Sequence, residues 1–463
     1  MTSDFFAKHI NAHRDEMIEA VQELIRIKSV QGESRPGEPF GSGPARALEW
    51  TLEFAEMLGF NAVNLEGHIG YAEYGQGEEY VAVLGHVDVV PEGDGWTTPP
   101  YDPAIRDGRI YGRGATDDKG PLIAALYALK AVKDSGAALS KKVRVIIGTN
   151  EETDNNDVRY YLSREKPPCF GFTPDAFFPL VYAEKGLVQI KLEKAMTNGS
   201  REIMRLSGGL AANMVPPSSE AIIIAHDPNE IVSRIETFSK KMGFSLSTEV
   251  LGNQITIKSL GKAAHASVPE QGKNAIMQLI SFLDSMNAIE DDLGETISFL
   301  NSRIGMETNG SSLGVDLRDK DSGELTLNVG KIDLHQSILT IVIDIRYPVT
   351  YHLEDVLQPL ERIFQEAGFS LQVADHQEPL YFPRDSKLIQ TLLRVFKEQT
   401  GIDEGPLAIG GGTYAKEMPN ILAFGPIFPG KPLVEHKPDE YIAIDELLLC
   451  CKIFAHAIFE LSK

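Results

Sequence analysis

The chain has 463 residues, of which 43% are hydrophobic, and it carries a formal net charge of −22. This length exceeds what one hydrophobic core usually serves, so two or more domains are expected, and the hydrophobic content is that of a globular protein. The acidic balance argues against nucleic acid and anionic membranes as partners, because both are bound through basic patches.

The three cysteines do not form a disulfide pattern, since their number is odd and Cys450 and Cys451 are adjacent. This adjacent pair falls in an apolar helical pattern, and we expect it to be buried. The amino-terminal region is polar and lacks the apolar core of a signal peptide, and no apolar run reaches the ~18 residues of a membrane-spanning helix. These features predict a cytoplasmic protein.

The first third of the chain alternates helical and strand-like patterns. The predicted elements, in chain order, are helices over 4–28 and 46–57, strands over 62–74 and 80–90, a helix over 119–134 and a strand over 142–148. This alternation predicts the α/β class, with a mixed, largely parallel sheet and flanking helices.

The alternation of helices and strands changes near residue 186. Amphipathic strand-like segments then occur in pairs and are interspersed with helical patterns, which predicts an inserted α+β domain. The last eighty residues return to the earlier style and end in a long helix over 444–461. The predicted organisation is a first domain of residues 1–186 and 384–463, with residues 187–383 inserted in it.

Potential metal ligands begin at the end of an apolar run. His86 ends this run and Asp88 lies two residues further, where strand geometry would place both side chains on one face. Asp117 and Asp118 occupy a glycine-rich turn before a helix. Because ligands collect at the carboxyl ends of strands in open α/β sheets, these groups are a plausible start to a metal site.

Other candidate residues follow later in the chain. Each has a simpler explanation when taken alone: a helix cap for the aspartates of the turn, a solvated turn for paired glutamates, and a surface or core position for a histidine. The whole set of histidines and carboxylates matches a site for two metal ions. The later candidates are Glu151, Glu152, Asp175, His265 and His436.

These segments resemble the two-zinc metallopeptidases that include glutamate carboxypeptidase, aminoacylase and carnosinase. They are most similar to the bacterial Xaa-His (carnosine-type) dipeptidase branch, and together the blocks cover nearly the whole chain. The blocks are GHVDVVP at 85–91, GRGATDDKGP at 112–121, NEET at 150–153, PDA at 174–176, GKAAHAS at 261–267 and EHKPDE at 435–440.

The resemblance implies a set of metal ligands. Asp117 would bridge two ions, and Asp118 would be a structural neighbour. One ion would also be held by His86 and Asp175, and the other by Glu152 and His436. The family implies zinc, and manganese is the alternative, because histidine and carboxylate ligands suit both metals.

The resemblance also implies catalytic roles. Glu151 would be the general base for a water activated by two metals, and Asp88 would orient the His86 imidazole. His265 would stabilise the charge that develops on the attacked carbonyl oxygen. The implied substrate-binding residues are Asn213, Arg346, Gly411 and Thr413.

Two of the proposed substrate-binding assignments have structural alternatives. Arg346 could form an ion pair with Asp344, and the loop of Gly410–Gly412 could be a plain turn.

The resemblance also implies a function for the inserted domain. Residues 187–383 would be a lid that covers the site within a monomer and restricts substrates to small, unblocked dipeptides. A homodimer is the alternative state of assembly.

Three other functions compete with a metal-dependent dipeptidase. An N-acyl-amino-acid deacylase or a succinyl-diaminopimelate desuccinylase would share the metal ligands and Glu151, and would differ in lid contacts. A catalytically silent metal-binding homologue would lack the base or a ligand, whereas these positions hold competent residues. A binding protein without metals would leave the acidic residues uncorrelated.

Overall fold

The computed structural model describes residues 3–196, 203–286 and 291–463, and the chain divides into two compact units. The first unit comprises residues up to 182 together with 381–407 and 412–463, and the second comprises 183–380 and 408–411. The second unit is thus inserted in the first. That the inserted unit acts as a lid stays a prediction.

The stretch 408–411 differs from the sequence assignment, which placed it in the first domain. It groups with the inserted unit because its backbone carbonyls accept hydrogen bonds there. The Lys185 N–H donates to Ile409 O at 3.0 Å, and Arg346 Nη1 donates to Gly410 O at 3.3 Å.

The chain begins with helices and a sheet of the first unit. Successive elements are α1 (Ser3–Ala12), α2 (Arg14–Arg26), α3 (Ser42–Met57), β1 (Asn61–Leu65), β2 (Ile69–Tyr74), β3 (Tyr80–His86), β4 (Ala104–Arg106), β5 (Arg109–Tyr111), α4 (Lys119–Asp134), β6 (Lys142–Gly148), α5 (Asn156–Arg164), β7 (Phe170–Thr173), β8 (Ala176–Phe177) and β9 (Val181–Glu184).

The inserted unit is built mainly on an antiparallel sheet. Its elements are β10 (Gly186–Ala195), β11 (Ile203–Gly208), β12 (Ser218–Ile224), α6 (Pro228–Met242), β13 (Ser245–Leu251), β14 (Gln254–Leu260), α7 (Ala275–Ser285), α8 (Asp292–Arg303), β15 (Arg318–Asp319), β16 (Gly323–Glu324), β17 (Thr326–His335), β18 (Ile338–Tyr347), α9 (Leu353–Glu366) and β19 (Ser370–Gln377). The strand order is β13-β14-β12-β11-β17-β18-β10-β19. Alternate strand residues and the apolar faces of the helices share one core.

The chain then returns to the first unit, apart from residues 408–411. The remaining elements are β20 (Leu380–Tyr381), α10 (Lys387–Thr400), β21 (Leu407–Ile409), β22 (Ile421–Ala423), β23 (Pro426–Ile427), β24 (Tyr441–Ala443) and α11 (Ile444–Ser462). Short 3₁₀ helices lie at Pro269–Gln271, Ser311–Leu313 and Tyr414–Lys416.

The parallel part of the first unit's sheet lies at its centre. The strand order is β1-β2-β6-β3-β7-β22-β9-β20, and β3 pairs in parallel with β6 on one side and with β7 on the other. Every residue of β3 is buried, as expected for a parallel strand covered on both faces. Helix α4 packs against β3 and α11, with Cys450 and Cys451 buried in α11 as predicted.

Several predicted boundaries differ from the structure. The single helix expected over 4–28 is two helices, α1 and α2, and the strand expected over 80–90 ends at His86. The sequence analysis did not predict α5 and β7 in the first unit, or β11, β13 and α8 in the inserted unit. Among the described residues, no helix is both long and apolar enough to cross a membrane.

A close approach at Gly186 gives a stability test of the inserted unit. Gly186 lies opposite Tyr347 in the β10–β18 pair, and a Cβ on Gly186 would overlap the buried Tyr347 ring. We expect Gly186→Ala to lower the free energy of unfolding by about 1–3 kcal/mol, measured by chemical denaturation, because the ring must shift.

The matched control is Gly405→Ala, where a Cβ would meet no heavy atom within 4 Å. This variant should change stability by less than about 0.5 kcal/mol. If both variants were equally stable, a methyl group at residue 186 would fit beside the Tyr347 ring, which would contradict the close contact in the structure.

Candidate metal centre

Three neighbouring parallel strands bring the predicted ligands to one edge of the sheet. His86 is the last residue of β3 and is paired with Gly148, the last residue of β6. The turn after β6 carries Glu151 and Glu152, and Asp175 follows β7. Because parallel strands end at the same edge of a sheet, these side chains converge from well-separated parts of the sequence.

The Asp117 carboxylate lies between two histidines. Its Oδ1 atom is 3.0 Å from His86 Nε2, and its Oδ2 atom is 2.9 Å from His436 Nε2. The two oxygens of one side chain therefore face two different nitrogen donors, which is the geometry expected of a carboxylate shared by two cations.

Two groups of possible ligands surround Asp117. Within each group the ligand atoms all lie within 4.8 Å of one another. Asp175 Oδ2 is 3.7 Å from His86 Nε2, and Glu152 Oε2 is 3.1 Å from His436 Nε2. The groups are His86, Glu151 and Asp175 on one side, and Asp117, Glu152 and His436 on the other.

Buried atoms without hydrogen-bond partners show that these residues fit a metal. His86 Nε2, Asp117 Oδ1 and Glu152 Oε1 are all buried, and apart from the ion-pair contact between the first two they have no hydrogen-bond partner. An unpaired buried polar atom is costly, and most such atoms in proteins have a partner. Imidazole nitrogen and carboxylate oxygen are suitable ligands for zinc or manganese, so divalent cations would satisfy all three atoms.

Without a cation, the ionised forms of the carboxylates in this centre are electrostatically unfavourable. Burial, followed by the charge of Asp117, raises the pKa of Glu152 to about 7 and that of Asp175 to about 6. Burial and the Asp175 charge also raise the pKa of Glu151 well above its ordinary value. Each of these groups therefore holds a proton at a pH where an exposed carboxylate would have lost it.

The histidines respond in the opposite sense. Burial disfavours the charged imidazolium, but the neighbouring carboxylates, Asp117 first, outweigh it and raise the pKa of His436 to about 11. The same balance raises the pKa of His86 well above its usual range. Protons on the imidazoles thus replace part of the positive charge that the acidic residues require.

The turn that carries Glu151 and Glu152 is held by two other carboxylates. Asp157 Oδ2 accepts the backbone N–H groups of residues 149 and 150 at 2.7 and 3.0 Å. Asp88 accepts those of residues 151 and 152 at 3.2 and 3.1 Å. Four consecutive backbone donors are thus satisfied by acceptors that fix the direction of the turn.

Asp88 does not lie on the strand, which differs from the expected placement on one strand face. The chain leaves β3 after His86, and His86 Nδ1 is hydrogen-bonded to the backbone oxygen of Asp88 at 3.0 Å. The Asp88 carboxylate oxygen is further away, at 3.4 Å. The backbone of Asp88 therefore orients the imidazole, while its side chain mainly holds the turn.

Asp157 and Tyr414 were not found from the sequence. The Tyr414 hydroxyl donates to Asp157, and the Tyr414 ring lies edge-on to the His86 imidazole with 5.9 Å between centroids. Asp157 lies inside a helical pattern and Tyr414 is 257 positions away, so no local signal marks the pair.

Asp118 supports the opposite side of His86. Its Oδ2 atom accepts the His86 backbone N–H at 3.2 Å. A Cβ on Gly85 would overlap this oxygen, so the absence of a side chain at Gly85 allows Asp118 to approach the strand. Asp118 thus contacts the backbone of the strand, in keeping with the structural role that the resemblance implies for it.

The predicted substrate-binding residues are described within their own units. Arg346 is buried and makes two hydrogen bonds to the Asp344 carboxylate, at 2.7 and 3.1 Å, which is the structural alternative expected from the sequence. The Asn213 backbone oxygen accepts the Ala266 N–H at 2.9 Å, which aligns Asn213 with the segment of His265.

The remaining members of this set lie in the glycine-rich loop. Thr413 Oγ1 accepts the Ala415 N–H at 3.1 Å and so caps the short helix that follows. A Cβ on Gly411 would meet only Ile409 Cδ1, at 4.0 Å, so packing does not require glycine at this position. A role in substrate binding stays a prediction for Asn213, His265, Arg346, Gly411 and Thr413.

Residues 82–460 match the sequence pattern of peptidase family M20/M25/M40. A curated relative, the "putative dipeptidase YtjP" of Bacillus subtilis (strain 168), is 40% identical over 458 residues, covering 97% of this chain and 98% of that protein. This similarity extends over both units.

Two solved structures share the fold. Human carnosine dipeptidase 1 has 16% identity and a TM-score of 0.58, with 98% of each chain covered. The dipeptidase Dug1p of Saccharomyces cerevisiae has 14% identity and a TM-score of 0.60, covering 99% of this chain and 98% of that one. At such low identity the likeness shows the fold alone, and it confirms the predicted α/β class with an inserted α+β unit.

We expect metal binding at this centre to release protons. Ligation requires ionised carboxylates and neutral imidazoles, whereas the raised pKa values of Glu152 and His436 keep protons on both groups near neutral pH. Because a raised pKa preserves the proton up to a higher pH, the apparent metal affinity should fall as the pH drops through 7.

The measurement is titration calorimetry with zinc or manganese at pH 7 in buffers of different ionisation enthalpy. The observed heat should vary with the buffer, and Glu152→Gln should release fewer protons than the wild type. A binding heat that is the same in every buffer would contradict the raised pKa values.

Proposed function

The chain belongs to peptidase family M20/M25/M40, and from this premise we propose that it is a dipeptidase that cleaves unblocked dipeptides with the help of two divalent metal ions. That it is a metal-dependent hydrolase of peptide bonds follows from the family. The finer statement, with two ions and a glutamate base, is the proposal.

The observation that carries the proposal is the position of Asp117. Its two carboxylate oxygens face His86 Nε2 and His436 Nε2 separately, at 3.0 and 2.9 Å. A site for one ion would need both nitrogens to converge on one point, whereas here a single carboxylate separates two groups of ligands. We therefore assign His86 and Asp175 to one ion, Glu152 and His436 to the other, and Asp117 to both.

The metals and the protein would contribute different parts of the chemistry. Two ions bound here would supply positive charge that lowers the pKa of the attacking water and polarises the scissile carbonyl. Glu151 would accept the proton that the water loses and deliver it to the nitrogen of the leaving amine as the C–N bond breaks.

Two features suit Glu151 to this role. Its burial beside Asp175 raises its pKa, so the carboxylate is a better base than an exposed one. Asp88 accepts the backbone N–H groups of residues 151 and 152, so one side chain holds the backbone of both the base and the neighbouring ligand Glu152.

The substrate is proposed from the relatives. The curated relative at 40% identity is named a dipeptidase, as are both solved structures above. An N-acyl-amino-acid deacylase or a desuccinylase is therefore not favoured. The residues proposed to contact the substrate are Asn213, His265, Arg346, Gly411 and Thr413. Zinc is the first choice of metal, and manganese is the second. A cytoplasmic monomer remains our proposal from the sequence.

The first test separates the base from the ligands. Glu151→Gln should retain two metal ions per chain and lose about 10²–10⁴-fold in kcat toward dipeptides, because it removes proton transfer without removing a ligand. Metal content is measured by elemental analysis, and kcat by release of free amino acids.

Two matched glutamate-to-glutamine variants accompany this test. Glu152→Gln should bind less metal, and Glu73→Gln should keep both metal and kcat, since Glu73 forms an ion pair with Arg144 and Lys142 on the sheet. If Glu151→Gln kept wild-type kcat, Glu151 would not be the base.

The second test addresses the substrate. The metal-loaded protein should hydrolyse dipeptides with free termini and leave a tripeptide and N-acetyl and N-succinyl amino acids largely intact in a direct comparison of kcat/KM. Preference for the acylated compounds would make the protein a deacylase. Two bound metals without hydrolysis of any substrate would favour the catalytically silent homologue.

A further inference from the structure

Glu440 is a buried carboxylate that contacts the turn of Asp117. Its Oε1 atom accepts the backbone N–H groups of Thr116 and Asp117 itself, at 2.9 and 3.2 Å. Its Oε2 atom accepts the Gly114 N–H at 3.1 Å and a hydrogen bond from Arg113 Nη1 at 2.7 Å. The residue is 0% exposed, so one buried side chain accepts hydrogen bonds from four donors.

Arg113 balances this buried charge and extends the contact. The guanidinium also donates to the backbone oxygens of Pro91 and Glu92, at 3.4 and 3.2 Å, and lies over the Trp96 ring, 5.2 Å from its centroid. Because Arg113 is itself only 1% exposed, the pair is held rigidly from both sides. A buried ion pair whose carboxylate accepts four hydrogen bonds favours one geometry, although it adds little net stability.

The position of Glu440 in the chain links it to the metal-ligand candidate His436 as well as to the turn of Asp117. It lies four residues after His436, on the segment that leads into β24. Backbone hydrogen bonds also join the two segments, since the Gly112 N–H donates to Glu440 O at 3.0 Å and β24 pairs with β5. The segment that carries His436 is thereby fastened to the turn that carries Asp117.

We propose that Glu440 is a positioning residue that sets the distance and orientation between Asp117 and His436. The inference rests on the proposed two-metal site, and adds that this site depends on a carboxylate that is not a ligand. Accepting the Asp117 N–H fixes the backbone from which the shared carboxylate extends. The outer partners of metal ligands commonly affect metal affinity by about 10–100-fold.

A merely structural role for Glu440 predicts a different result. In that case its loss would destabilise the metal-free and the metal-loaded protein by the same amount. A positioning role instead reduces the extra stability that metal confers, because that increment depends on the affinity of the folded protein for the ion. The metal-induced rise in melting temperature separates the two roles.

The decisive variant is Glu440→Gln, which keeps the size of the side chain and replaces one acceptor oxygen by an N–H₂ donor. Melting temperatures are measured with chelator and with graded zinc or manganese, and metal affinity is measured by competition with a chromogenic chelator. We expect an affinity lower by about 10–100-fold and a smaller metal-induced rise. We also expect kcat to recover as metal is raised above the variant's dissociation constant.

Glu73→Gln is the matched control, because Glu73 is also paired with an arginine, Arg144, at 2.7 Å, on strand β2. It should lower both melting temperatures equally. Should Glu440→Gln fail to fold, Glu440→Asp keeps the charge opposite Arg113 while its shorter side chain cannot reach every donor. It should show the same loss of metal affinity.

Wild-type affinity and a wild-type metal-induced rise in either Glu440 variant would overturn the proposal. Its failure is distinct from that of the proposed function. A wild-type protein that binds two metals but hydrolyses no dipeptide refutes the dipeptidase and leaves the role of Glu440 to be decided by the affinities. A wild-type dipeptidase whose Glu440 variants bind metal normally refutes only the positioning role.

Discussion

The repulsion among carboxylates gathered at one edge of the sheet is the constraint on which the rest of the structure depends. Two unit charges of like sign 4 Å apart repel by about 4 kcal/mol at an effective dielectric constant of about 20. Burial and the neighbouring carboxylates raise the pKa values of Glu151, Glu152 and Asp175, whereas His436 and His86 lower the pKa of Asp117. A fold that keeps these carboxylates together must fix their backbones firmly.

The protein achieves this with further carboxylates that accept backbone N–H groups. Asp118 holds the end of β3, Asp157 and Asp88 hold the turn after β6, and Glu440 holds the turn before α4. Each is buried. A backbone amide neutralises part of an acceptor's charge without adding a mobile cation, so acidic residues can surround an acidic centre and still stabilise it.

The sequence predicts much of this organisation because its strongest signals are local. Helix α4 and strand β6 have the predicted bounds, since an apolar run and its flanking glycine and asparagine residues define each. His86, Glu152 and Asp175 could be found because His86 ends a strand and the other two lie in turns that follow strands. The resemblance to known metallopeptidases supplied the roles that position alone could not.

The remainder could not be read from the sequence because it depends on contacts across long intervals. Asp157 meets Tyr414 over 257 positions, and Glu440 meets Thr116 over 324. Asp88 was expected on a strand face, but the strand ends at His86, two residues before Asp88.

The order of these segments along the chain bears on how the protein is made. Ribosomal synthesis delivers His86 early, whereas His436 and Glu440 emerge among the last residues, after the whole inserted unit. A nascent chain therefore carries the acidic half of the centre for most of its synthesis but lacks the segment that completes it. The group of Asp117, Glu152 and His436 can therefore assemble only after the inserted unit has been synthesised, when the segment that leads into β24 is available to pair with β5.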